Sequence, residues 1–479
     1  MEKYINSSFQ VLPTAQQLRA ELNANENTEV RAQISQLFDA GTFVELAAFT
    51  KRGVSDFLIS EKSSEFESVI CGYGAIDGKL TFAFAEDSSR MGGAIDDRHA
   101  KKICDLYSLA MKNGAPIIGI FNSNGVDIFD GTVALSAYGR IISAVSKASG
   151  VIPQIAFVAG KCLGTSAAIA SMFDVLVKSN TAQLYVSSPA LIGCEDCQSA
   201  TVAYEADVTS AIKYIRSLIG FLPSNSSVGV QASDICTDNL NRMLGNLDFG
   251  GSAISAISMV VDNSMYTELS ANVAKEVSTV FATVGGVKCG IVATSYAENE
   301  GRITARGARK ISRFVNLCDS FSIPLVTLCD SRGLAVDKEN EDLFAPELAK
   351  LAMAYASSSC VKVTVVMGHA IGASFVLLGS KSLGADIVYA LDNSEIGALC
   401  AESAVAFAWE KFIDEQTTRD ELVNTWKTTV SSPAYAAAGG EIDDIISTNE
   451  LRARICSALL MLSQKGYAAS IAKSRVLPL

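Results

Sequence analysis

One small-residue turn is written twice in this chain. Residues 158–166 read VAGKCLGTS and residues 366–374 read VMGHAIGAS, 208 positions apart, each after a short apolar run (IPQIAF and VKVTVV). The likeness extends upstream at the same offset: AKKICDLYSLAMKNGAPIIGIFNSNGV (100–126) matches ARKISRFVNLCDSFSIPLVTLCDSRGL (308–334). Further upstream ISQLFDAGTFVELA (34–47) matches ISMVVDNSMYTELS (257–270), at an offset of 223. Two copies of over 200 residues each describe paired domains, not a solenoid of short repeats. A length of 479 residues agrees with more than one core.

Within each copy the pattern alternates. An amphipathic helix pattern ends in a turn such as DAG, and strand-like runs follow (VICGYGAI and LTFAFA; TVFATVGG and GIVATSY). A second helix then places Ile103, Leu106, Tyr107 and Ala110 on one face. Pro116 and Pro324 stop that helix and open the runs IIGIF and LVTLC, apolar on both faces as buried parallel strands are. Strands alternating with helices predict an α/β architecture with crossover connections. Polar SNSS (224–227) and the glycines of 245–251 place the division between 1–245 and 246–479.

In such sheets ligands gather where strands end and helices begin. Each copy has two turns there: NSNGV (122–126) with GKCLGT (160–165), and DSRGL (330–334) with GHAIGA (368–373). Glycine lets the backbone approach a ligand, and helices starting near Gly164 and Gly372 add positive dipole ends. Two N–H groups aimed at one point make an oxyanion hole. Tight helix–strand packing is the plainer explanation for any one such turn, and two matched pairs favour function. No phosphate-loop GxxxxGK[ST] or dinucleotide-binding GxGxxG follows the relevant strands. Asp96, Asp97, Asp127 and Asp130 are expected on a solvated loop face.

Composition removes other classes. A net charge of −12 and a pI near 4.9 argue against a general nucleic-acid surface. The most apolar stretch, 151–177, is interrupted by Lys161 and Asp174 and is too short to span a bilayer. MEKYINSSFQ lacks the regions of a signal peptide. The 12 cysteines sit mostly in apolar segments and are expected as buried thiols; Cys194 and Cys197 form a lone CxxC. With two histidines, His99 and His369, a His-based metal cage or triad has little material, and Ser123 and Ser331 have no evident His partner.

The chain resembles the carboxyltransferase subunits of biotin-dependent acyl-CoA carboxylases and decarboxylases, above all methylmalonyl-CoA decarboxylase α subunits and propionyl-CoA carboxylase β subunits. The stretches that carry the resemblance are GYGAIDGKLTFAF (72–84), GGAIDDRHAKKI (92–103), MKNGAPIIGI (111–120), SGVIPQIAFVAGKCLG (149–164), CDSFSIPLVTL (318–328), SKSLGADIVYA (380–390) and SSPAYAAAGGEIDDII (431–446). Asn124 and Asp127 stand where that family usually has Gly and Arg, and Thr165 stands for a Gly.

The resemblance implies two tandem crotonase-like (ClpP/crotonase superfamily) domains of ββα units, the first holding acyl-CoA and the second biotin. It implies transfer of CO2 between an acyl-CoA and the biotin of a separate carrier protein, in a methylmalonyl-CoA-type decarboxylase complex. The β subunit of an ATP-dependent propionyl- or acetyl-CoA carboxylase, or a degenerate non-catalytic scaffold, are the other options. Catalytic amides are expected near Val126 and Gly164 for the thioester enolate, and near Leu334 with Gly372 or Ala373 for the ureido oxygen of biotin. Gly125, Thr165, Ser188 and Val376 are expected against the acyl-CoA, and Gly333, Gly372, Ala373 and Ser374 against biotin; no metal is expected. Implied partners are a biotin carrier protein, a membrane decarboxylase subunit or a biotin carboxylase, and further copies of this chain, a dimer at least and up to a hexamer. The implied location is the cytoplasm, with peripheral membrane attachment through partners as the variant, and no nucleic acid is involved.

Overall fold

The computed structural model describes residues 14–23, 28–52, 66–187, 189–193, 202–228, 235–244, 251–413, 417–463 and 465. Ser188, Cys194, Cys197 and the division at 245/246 lie outside them.

Two eight-stranded sheets repeat one plan. The first holds β1 (Val44–Leu46), β2 (Val69–Ile76), β3 (Lys79–Glu86), β4 (Ile117–Ser123), β5 (Gln154–Leu163), β6 (Val175–Ser179), β7 (Gln183–Tyr185) and β8 (Tyr204–Ala206). Its order is β1-β2-β3-β4-β5-β6-β8, with β7 paired to β5. The second holds β9 (Tyr266–Leu269), β10 (Val277–Val284), β11 (Val287–Thr294), β12 (Leu325–Ser331), β13 (Lys362–Ile371), β14 (Ile387–Leu391), β15 (Glu395–Gly397) and β16 (Asp444–Ile446). It runs β16-β14-β13-β12-β11-β10-β9, with β15 on β13. In each sheet the first three strands are antiparallel and the rest parallel. The offset of 208 carries β2 to β10, β3 to β11, β4 to β12 and β5 to β13 without a residue gained or lost. The 15 residues by which the two offsets differ fall between β1 and β2.

The predicted helix is Asp97–Asn113, and Ile103, Leu106, Tyr107 and Ala110 are all buried. Its start is set by Asp96, whose carboxylate accepts the His99 N–H at 2.8 Å. Gly114 ends it with φ +58, and β4 begins just after Pro116 as expected. The halves share a core. The helix Val208–Phe221 lies between them, stacking Phe221 on Phe281 at 4.7 Å and donating from Tyr214 Oη to the Glu268 carbonyl at 2.7 Å. Residues 235–244 already lie on the second half, where Arg242 reaches the carbonyls of Met259 and Val261 at 2.6 and 3.1 Å. Among the described residues no helix is long and apolar enough to cross a membrane.

Candidate functional site

The first turn leaves the end of β4. Ser123 is fully buried, donates its hydroxyl to the Gly93 carbonyl at 2.7 Å and accepts the Gly125 N–H at 3.0 Å. It braces a turn and is not placed as a nucleophile. Gly125 has φ +110, a region side chains disfavour, and the chain then bridges Ile95. Ile95 donates to the Gly125 carbonyl at 2.9 Å, and Asp127 donates to the Ile95 carbonyl at 3.0 Å. Because residues 125 and 127 make those bonds, the Val126 N–H points away from the bridge, as the pleat requires.

The second half repeats this. Gly333 has φ +108 and donates to Ser331 Oγ at 3.2 Å; Ile303 donates to the Gly333 carbonyl and Ala335 to the Ile303 carbonyl, both at 2.9 Å. Leu334 thus presents its N–H as Val126 does.

The glycines of the second turns match as closely. Gly164 has φ 60 and ψ −127, Gly372 φ 58 and ψ −127. Their amides are taken: Gly164 N–H donates to Tyr185 O at 2.9 Å and Gly372 N–H to Gly397 O at 2.8 Å. The next N–H groups along the chain are those of Thr165 and of Ala373, the latter already among the expected donors. Each opens a helix (Thr165–Ser171, Ala373–Leu377) whose first N–H groups have no intrahelical acceptor. These helices have 7 and 5 residues, so the directed N–H matters here and the expected helix dipole is minor.

Each pair of turns is tied together. Asn122 Oδ1 accepts the Lys161 N–H at 3.1 Å, and its counterpart Asp330 accepts the His369 N–H at 2.9 Å. Tyr138 Oη lies 3.0 Å from Ser166 Oγ, and burial pushes its pKa up to about 12, so it stays a neutral hydroxyl. Ser374 is buried and spans its two turns, donating to the Ser331 carbonyl at 3.2 Å and accepting the Ile371 N–H at 3.1 Å. Asn122, Asp330 and Tyr138 escaped sequence reasoning; the first two align at the 208 offset, which was the signal available.

Asp96 and Asp127, expected on a solvated face, are buried. Arg52 pairs with Asp127 at 2.6 Å and comes within 3.9 Å of Asp96. Arg52 therefore brings a guanidinium beside the first turn from a distant segment. Asp97 is exposed and pairs with Arg140 at 2.5 Å.

Beside the second turn opens a cavity of about 610 Å³. Gly372, Phe375, Val376, Ile396, Leu399 and Trp426 give it apolar walls. The buried hydroxyl of Ser431, also on its lining, has no hydrogen-bond partner among the described residues.

The carboxyl transferase domain matches residues 21–202 and 193–477. Methylmalonyl-CoA decarboxylase subunit alpha of Propionigenium modestum is 32% identical over 489 aligned positions, spanning 95% of this chain and 94% of the relative. A putative propionyl-CoA carboxylase beta chain of Bacillus subtilis (strain 168) is 32% identical, spanning 91% of this chain and 90% of its own. The crystal structure of transcarboxylase 12S, a hexamer assembly with methylmalonyl-coenzyme A and methylmalonic acid bound, is similar with a TM-score of 0.88. That likeness covers 98% of this chain and 100% of the other, at 27% identity.

Proposed function

Because the chain belongs to the carboxyl transferase family, we propose that it works as the transferase subunit of a methylmalonyl-CoA-type decarboxylase complex. Its fold is two tandem crotonase-like units, and it is a biotin-dependent acyl-CoA carboxyltransferase. The observation that carries the mechanism is the repeated turn pair with its freed amides. Val126 and Thr165 hold the thioester oxygen as it gains negative charge, with Gly125 letting the backbone approach. Leu334 and Ala373 do the same for the ureido oxygen of biotin. A preorganised donor of this kind is worth about 3 kcal/mol in a transition state.

The cavity beside Gly372 suits biotin, with apolar walls for a bicyclic ring and the unpartnered Ser431 hydroxyl for a polar edge. Gly333, Gly372 and Ala373 would hold it, Ser374 fixing the turn from beneath. Val376 lines the same cavity, where an acyl group from a facing copy arrives. Biotin, when bound, supplies the ureido nitrogen that takes up or releases the carboxyl group. The chain contributes donors, orientation and exclusion of water.

A second copy is part of this reading, the first unit of one facing the second unit of the other. Exposed apolar side chains stand beside both turns: Ile128 (77% exposed) and Leu135 (61%) in the first half, Val336 (92%) and Phe407 (87%) in the second. The biotin carrier and a membrane decarboxylase subunit are separate chains, met from the cytoplasmic side. The test is incubation of the purified full chain with free biotin and malonyl-, methylmalonyl- or glutaconyl-CoA. Biotin-dependent CO2 release, fastest from methylmalonyl-CoA, is expected. Turnover indifferent to biotin, or none from any of the three, overturns the reading.

A further inference from the structure

The first turn rests on a buried belt of ionisable side chains. Glu86, 2% exposed at the end of β3, accepts the Asn122 N–H on Oε2 at 2.9 Å. Its Oε1 lies 3.9 Å from Nε2 of the fully buried His99, a nitrogen with no hydrogen-bond partner among the described residues. The other ring nitrogen, Nδ1, lies 3.2 Å from Ser68 Oγ and 3.8 Å from Glu67 Oε1. Glu67 interacts with Asp96, Asp96 lies 3.9 Å from Arg52, and Arg52 pairs with Asp127 at 2.6 Å. Asp127 directly follows Val126. The belt thus leaves the turn at Asn122 and returns to it at Asp127, with every member 7% exposed or less.

We propose that Glu86 is a positioning residue of the acyl-CoA half: by accepting the Asn122 N–H it anchors the first turn and so sets where the Val126 amide stands. The inference rests on the carboxyltransferase reading above. Lys102 (helix Asp97–Asn113), Tyr138 (helix Thr132–Ala148), Cys162 (β5), Cys71 (β2) and Asp130 are further titratable groups that face this belt. Burial pushes Glu86 up to about 8 and holds His99 down near 3, so that ring is neutral; burial and the Asp96 charge also raise Glu67. A deprotonated Glu86 repels the oxyanion that the turn must stabilise. Transfer therefore slows as pH rises through about 8. Stability follows the same sign. The carboxyl's folded value lies above its unfolded 4.5, so its contribution is full below 4.5 and is lost as pH rises through about 8.

The test compares wild type, Glu86→Gln and Glu86→Ala as full chains, by biotin-dependent CO2 release from methylmalonyl-CoA between about pH 6 and 9. Wild-type kcat/KM falls on the alkaline side. Glu86→Gln keeps an acceptor for Asn122 and no charge; it holds the acid-side rate within about threefold and loses the alkaline fall. Glu86→Ala orphans the Asn122 N–H and is slower at every pH. Urea midpoints, which need no turnover, decline with pH more steeply in wild type than in Glu86→Gln. An alkaline fall shared by Glu86→Gln, a folded Glu86→Gln as slow throughout as Glu86→Ala, or parallel urea midpoints would each overturn the proposal. A wild type that folds but transfers nothing sinks the parent reading, and the urea comparison still decides the belt.

Discussion

At the end of β3 the first half carries Glu86; 208 residues on, the end of β11 carries Thr294. Both accept the amide of the following strand end, Glu86 from Asn122 at 2.9 Å and Thr294 Oγ1 from Asp330 at 2.6 Å. Beyond that bond the halves part. Gly307 stands at the position of His99 and Ala335 at that of Asp127, so the belt has no counterpart. The second half instead puts its carboxylate at the strand end, where Asp330 Oδ1 lies 2.9 Å from His369 Nδ1 and the ring stacks on Tyr296 at 4.6 Å. The backbone has kept its torsions, φ +110 against +108 and +60 against +58, while the groups beneath have changed charge. Main-chain donors survive such drift because any residue but proline supplies one. What lies below is free to diverge, so each half can be tuned separately, in the proposed reading to a thioester oxygen and to a ureido oxygen.

The largest way to break the equivalence is to delete one donor at a time. Thr165 and Ala373 are first residues of helices, where proline is tolerated because its fixed φ suits the helix and its missing N–H has no internal partner. The preceding glycines, at ψ −127, lie outside the helical region that a following proline disfavours. Thr165→Pro and Ala373→Pro are each expected to lower kcat for biotin-dependent CO2 release by roughly 10²- to 10³-fold with the fold intact. A folded Thr165→Pro with wild-type kcat would remove the first amide from the mechanism and leave the second standing.

A smaller effect separates the two glycines. Gly164→Ala and Gly372→Ala both force a side chain into a positive-φ conformation, at a cost of about 1–3 kcal/mol. A Cβ at Gly164 meets nothing within 4 Å, whereas one at Gly372 meets the Ala398 carbonyl at 3.2 Å. The second substitution should therefore lower stability more, as read from chemical denaturation. Equal losses would show that torsion alone sets the cost.

The repeat made most of the architecture legible. A gapless offset of 208 fixed strands, crossover helices and all four turns, because backbone geometry is what duplication preserves. The same offset pairs Val126 with Leu334 and Gly164 with Gly372, but it does not show where the amides of the two glycines go. Periodicity places a strand end and cannot tell that β7 and β15 return to take the amides of residues 164 and 372. The belt under the first turn was illegible for the opposite reason. Glu67, Glu86, His99 and Arg52 are scattered in sequence and unmatched in the second copy, and Asp96 and Asp127 read as a solvated loop face because the Arg52 beside them comes from far upstream.

The finest test of the comparison lies in the paired serines. Ser123 satisfies two separate backbone groups, the Gly93 carbonyl at 2.7 Å and the Gly125 N–H at 3.0 Å. Among the described residues the Ser331 hydroxyl reaches Gly333 alone, its N–H at 3.2 Å and its carbonyl at 3.3 Å. Both side chains are fully buried, so truncation leaves those groups without water to replace the hydroxyl. Ser123→Ala should cost about 2 kcal/mol and Ser331→Ala about 1 kcal/mol, since an orphaned buried group costs more than the net value of the bond it lost. The gap is small but within reach of paired denaturation curves. If Ser331→Ala cost as much as Ser123→Ala, the tie from the first turn to the Gly92–Gly93 loop would carry no energy, and the two turns would differ only in the charge beneath them.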